Sequence, residues 1–181
     1  MTPTPAEDLS ATLLLNISGP DELTLSVTND TTVPTAYDID AVYFNALSNV
    51  TALTLESVGG TTCVAGDGSD CGWILGTALM VDGFGDHDFG VIDGVGIDPD
   101  QITPGESVEF VFSIAGTSPF LDTDFVAFSD IMGGGTATLA AAKFVNGPED
   151  DSGFGAAVPE PGTAVLLGLG LLGIAASRRR S

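Results

Sequence analysis

Positive charge is what this sequence has least of. Lysine and arginine number four in 181 residues, against 25 aspartates and glutamates. Three of the four are Arg178, Arg179 and Arg180. Residues 1–158 therefore set 24 acidic side chains against one base, Lys143, a net charge of −23. A body with a single cation cannot displace phosphate counterions, which excludes nucleic acid as a partner. It is equally unsuited to an anionic lipid surface. Histidine (His87) and tryptophan (Trp73) occur once each, and the tyrosines are Tyr37 and Tyr43. There is no zinc-binding His pair, no G-x-S-x-G and no phosphate-cradling glycine loop. A glycosidase needs two carboxylates, which are plentiful, but also aromatic platforms, which are scarce. The expectation is a protein with no catalytic residues.

What remains is rich in turn formers and apolar side chains. The chain has 24 glycines, 10 prolines and 44% apolar residues, too apolar for a solvated disordered polymer. Apolar residues alternate with polar ones at Leu13, Leu15 and Ile17 and again at Leu23, Leu25 and Val27. Gly19-Pro20-Asp21 lies between, which predicts a hairpin. Further strands are predicted over Tyr37–Ala46, Val50–Val58, Trp73–Val81, Phe89–Ile92, Ser107–Ala115, Phe125–Phe128 and Ala137–Val145. In the first of these, Ile39, Ala41 and Tyr43 would share one face. Val108, Phe110, Phe112 and Ile114 give the clearest period of two. The fold class predicted is all-β: an antiparallel β-sandwich of about nine short strands, followed by a single C-terminal hydrophobic helix. Residues 1–147 form the sandwich, 148–158 a flexible linker and 159–181 a separate segment.

That last segment is the most informative. Val158-Pro159-Glu160-Pro161-Gly162 precedes an uncharged run from Thr163 to Ala176, and three arginines follow. As a helix the run is about 21 Å long, short of the ~30 Å hydrocarbon core of a bilayer. The prolines stop a helix from continuing upstream and hold Glu160 in extended chain, a form a processing enzyme can grip. Arginines after an apolar helix anchor it on the cytoplasmic side, which places the acidic body outside the cytoplasm.

Pro159-Glu160-Pro161, the Gly-Leu-rich run 163–176 and Arg178-Arg179-Arg180 together resemble the PEP-CTERM sorting signal of Gram-negative bacteria. The resemblance covers about the last 24 residues. It implies an exosortase as processing partner, transient anchoring in the inner membrane through the helix, and removal of the tail at or beside the Pro-Glu-Pro motif. It also implies a final place at the cell surface or outside, in company with exopolysaccharide and biofilm. Proteins of this kind need an export leader. Residues 1–8 have neither a basic start nor an apolar stretch, so the leader is expected upstream of Met1 or already removed.

Three constellations in the body can bear function. Cys63 and Cys71 form an even pair in an exported context, which favours a disulfide. A zinc site would need about four nitrogen or sulfur ligands, and only His87 could join them. Asp82, Asp86 and Asp88 lie in the glycine-rich stretch Asp82-Gly83-Phe84-Gly85-Asp86-His87-Asp88-Phe89-Gly90, and oxygen ligands on a flexible loop suit Ca²⁺. Solvated acidic turns are the alternative, and Asp67 and Asp70 are weaker candidates. No cofactor is required for folding; calcium is the one candidate. Trp73 could serve a glycan, or the core. Asn16, Asn29 and Asn49 match glycosylation sequons, which in the bacterial setting read as chance. The leading reading is an exported, non-enzymatic matrix protein. A calcium- or glycan-binding module on the same tail is the alternative, and a secreted hydrolase the third.

Overall fold

The structure, a computed structural model, describes residues 9–32, 37–65, 71–94, 101–130, 136–147 and 151–157. These residues build ten antiparallel strands in two sheets. The strands are β1 (Ala11–Gly19), β2 (Glu22–Asn29), β3 (Asp38–Phe44), β4 (Val50–Val58) and β5 (Thr61–Thr62). They continue with β6 (Trp73–Val81), β7 (Gly85–Asp93), β8 (Ser107–Gly116), β9 (Ala140–Val145) and β10 (Gly153–Ala156). The first sheet runs β1-β2-β8-β4-β5 and the second β10-β9-β3-β7-β6. The predicted hairpin is present, with Leu15 opposite Leu25 and Ile17 opposite Leu23.

Period-two patterning gives each sheet one apolar face, and the two faces meet. Leu23, Leu25 and Val27 of β2 and Phe110, Phe112 and Ile114 of β8 pack in one core with Val42 and Phe44 of β3 and Val91 of β7. Aromatic rings cross between the sheets. Phe44 meets Phe112 edge-on at 6.1 Å between centroids, and Trp73 meets Phe110 at 5.0 Å. Phe44 also lies 5.9 Å from Phe89 and 6.4 Å from Phe125. Trp73 is thus a core side chain, which removes it as a glycan platform.

Four expectations need correction. Ile39 does not share a face with Ala41 and Tyr43. A register shift between Ile39 and Ala41 marks a bulge at Asp40. Ile39 joins the main core, while Ala41 and Tyr43 pack with Val81 and Ala141 in a second cluster. Phe125–Phe128 is not a strand. Asp122–Phe125 is a 3₁₀ turn, and Asp124 Oδ2 accepts from Leu121 N and Asn49 Nδ2, drawing the chain into a tight loop. The seventh strand begins at Gly85, four residues before its predicted start. Gly153–Ala156, assigned to the linker, pairs with Ala141–Phe144 as the edge strand β10. The predicted helix 163–176 and the rest of the linker up to 150 lie outside the described residues, as does Val158.

Because Phe44 joins three rings, one from each sheet and one from the 3₁₀ turn, it should be the most costly side chain to truncate. Phe44→Ala is expected to lose about 3–5 kcal/mol and to lower Tm by roughly 10 °C, read by urea and thermal denaturation.

Candidate functional site

The acidic, glycine-rich stretch is not a flexible loop but the β6–β7 hairpin. Val81 pairs with Gly85, Met80 with Asp86 and Leu79 with His87 around an Asp82-Gly83-Phe84 turn. Its glycines answer to packing. Gly85 has φ +83°, and a Cβ there would fall 2.4 Å from the Asp130 carbonyl oxygen. A Cβ on Gly90 would strike Leu79 at 2.7 Å and Tyr43 at 2.9 Å. The three aspartates are held differently. Asp86 exchanges backbone hydrogen bonds with Asp130, at 2.9 and 3.1 Å. Asp88 accepts from Ala46 N through Oδ2 (3.0 Å) and donates its own N–H to Asn45 Oδ1 (3.1 Å). Asp82 stays exposed at the turn. Among the described residues, no group of three or more His, Cys, Asp or Glu side chains is placed to hold a metal ion. Asp67 and Asp70 lie outside the described residues.

His87, between Asp86 and Asp88 in sequence, is buried on the other face of the strand, with Nε2 3.3 Å from Thr138 Oγ1 and its ring 6.0 Å from that of Tyr43. Burial holds its pKa below the ordinary 6.5, against smaller opposing effects of the Gly85 backbone, Asp88 and Asp86. Burial, and behind it the charge of Asp40, pushes the Tyr43 hydroxyl up. Lys143, the body's single base, is paired with Asp40 at 2.6 Å. Cys63 and Cys71 form the predicted disulfide, with Cα atoms 5.6 Å apart.

One residue that resembled a modification site is structural. Asn29 is fully buried. Its Nδ2 donates to the carbonyls of Tyr37 and Ile102, each at 2.7 Å. Its Oδ1 accepts from Thr31 N and Thr31 Oγ1. The sequon spacing Asn-x-Thr is also the spacing of a side chain that caps its own turn. That double meaning hid the role in the sequence.

The segment that carries sorting chemistry leaves the body at the end of β10. Ala157 N donates to Ala140 O (2.8 Å), so β9 holds the chain up to that point. Pro159, Glu160, Pro161, Arg178, Arg179 and Arg180 lie outside the described residues. Residues 157–180 match the family model of the PEP-CTERM protein-sorting motif. The chain carries a PEP-CTERM signal. The PEP-CTERM match begins one residue past β10 and spans Pro-Glu-Pro, the apolar run and all three arginines. It implies export and membrane-associated sorting, with an exosortase as the processing partner. No curated protein matches the chain, and no solved structure does. Among the described residues no helix is long and apolar enough to cross a membrane.

Two outcomes follow from the hairpin geometry. Ca²⁺ and Mg²⁺ at equal ionic strength should raise Tm equally, since a net −23 attracts both. The Asp86→Asn/Asp88→Asn variant should keep that equality. A Ca²⁺-selective rise that the variant loses would establish a specific site. His87 fixes the second outcome. Its folded pKa is depressed, so the unfolded chain takes up the proton first as pH falls below 6.5. Stability is full above that value and declines toward the lower folded pKa. Melting curves between about pH 7.5 and 5.5 should show a loss in the parent that His87→Gln lessens.

Proposed function

We propose that this protein is an exported, non-enzymatic component of an extracellular matrix, with a structural or adhesive role, delivered through its PEP-CTERM tail. The observation that carries the reading is the motif at 157–180 joined directly to the last strand of an acidic sandwich. Each part of the tail has a separable task. Arg178–Arg180 hold the C-terminal end on the cytoplasmic side, since moving each to the middle of the hydrocarbon costs ~2.5–3.5 kcal/mol. Thr163–Ala176 parks the chain in the inner membrane. Pro159-Glu160-Pro161 presents extended backbone to the exosortase, and cleavage there releases the body to the surface or to exopolysaccharide.

Three side chains that occur once each in the body are engaged in its fold, which supports a non-enzymatic reading. His87 is buried against Thr138, Lys143 is paired with Asp40, and Trp73 is packed on Phe110. A −23 surface repels its own copies and holds counterions, which suits a soluble unit in a cation-rich matrix.

The test is made in native cells. Pro159→Ala/Pro161→Ala should leave export and folding intact and trap full-length protein in the membrane. Deletion of 159–181 should give a folded, unanchored domain. Mass spectrometry of the mature chain should find an end near Pro159. If it finds only chains ending at Ser181, the tail is a permanent anchor and the processing claim fails.

A further inference from the structure

The two open sides of the sandwich differ. On one, the crossing from β5 in the first sheet to β6 in the second is spanned by the Cys63–Cys71 disulfide. On the other, β1 and β10 are the last strands of their sheets, and a cavity of about 470 Å³ opens between them. Its lining includes Leu13, Leu15, Phe125, Leu139, Phe144 and Ala157. No charged residue lines it. That is notable in a chain with one charged residue in about six, nearly all of one sign. Leu25 and Val27 of β2 are fully buried, but Leu15 and Leu13, their partners on β1, are only half-buried. Val126, also in the lining, is 55% exposed. Among the described residues the core is therefore open along this side.

The chain itself supplies a fitting occupant. Ala157 lies in the lining, and the longest apolar run of the sequence begins six residues further on, at Thr163. Residues 158–162 reach about 18 Å when extended. Pro161-Gly162 suits the central positions of a type II turn, which would send the following residues back antiparallel to β10. With 163 opposite 160, Thr163-Ala164-Val165-Leu166 would then return along residues 157–160, and Leu167-Gly168-Leu169-Gly170 would lie along the free edge of β10 with the leucines toward β1. Residues 1–8 are a poorer fit, because Pro3 and Pro5 cannot donate to a strand ladder. A second copy brings another −23 and is repelled.

We propose that the groove between β1 and β10 seats the apolar tail segment of the same chain, from Thr163 onward, as an added edge strand whenever that segment is not in the membrane. The segment then has two mutually exclusive seats, the body's groove and the bilayer. The tail's release from the body becomes a condition of its insertion. This does not depend on cleavage by an exosortase.

The test uses the full chain with a benzophenone amino acid in place of Leu13, irradiated in aqueous buffer and again in phosphatidylcholine vesicles. The expected product in buffer is monomer-sized, with position 13 joined to residues 163–170. It should fall roughly tenfold in vesicles and on filling the groove with Ala11→Trp. Benzophenone in place of the exposed Val126 gives the same readout if position 13 disturbs folding, which circular dichroism reports. Dimer-sized products, links to residues 1–8, or no link to 163–176 overturn the proposal, as does a tail link undiminished in vesicles. A chain that keeps its tail in native cells would defeat the processing claim above and leave this result unchanged.

Discussion

The fold depends on the meeting of two apolar sheet faces through Phe44. Its ring touches Phe89 in its own sheet, Phe112 in the facing one and Phe125 from the 3₁₀ turn. Each sheet alone would expose a row of large side chains, which costs about 25 cal/mol for every Å² left in water. Joined, they bury Leu23, Leu25, Leu55, Phe110 and Phe112 almost completely. The disulfide, the buried asparagine and the hairpin turns hold the periphery in the register that this contact sets. Asn29 does so most directly, because its amide reaches the carbonyls of Tyr37 and Ile102, which flank the second sheet.

The strands that could be read in the sequence are those with one wet face. Val50–Val58 and Trp73–Val81 were predicted with the bounds they have, and Ser107–Ala115 is one residue short of β8. In β8, Glu109 and Ser113 face outward and mark the period. Strands that break the period are hidden from such a reading. The bulge at Asp40 moves Ala41 and Tyr43 to the second cluster, and no alternation rule registers an inserted residue. The β7 segment carries Asp86 and Asp88, which propensity assigns to loops. Backbone pairing with Met80 and Asp130 overrides that preference. Gly153–Ala156 has too few side chains to signal a strand, and only its partner β9 defines it. The cysteine pairing was legible because two residues admit one connectivity.

The sorting segment was legible for the opposite reason. Its information is contiguous: a rigid dipeptide pair, an uncharged run and a basic end, each readable without a fold. The body's candidate metal ligands depended on three-dimensional convergence, and sequence proximity in 82–88 did not supply it. A strand alternates its side chains, so Asp86 and Asp88 flank His87 without encircling a common point. The glycines that suggested a pliable loop serve close backbone approach instead, at Gly85 against Asp130 and at Gly90 beneath Tyr43.

The attachment of the tail to β10 has a mechanical consequence. β10 is four residues long and, among the described residues, pairs with β9 alone at the edge of its sheet. Wherever the chain is held by its C-terminal segment, any pull on the body enters there. The load meets first the bond from Ala157 N to Ala140 O and then separates the pairs from Ala156–Ala141 toward Gly153–Phe144, one after another. Peeling at a sheet edge needs less force than shearing a whole strand, because few hydrogen bonds bear the load at once. Gly153–Ala156 would therefore yield first and lengthen the tether, while the aromatic contacts between the sheets stay intact. The edge strand acts as a mechanical fuse between the anchor and the folded body.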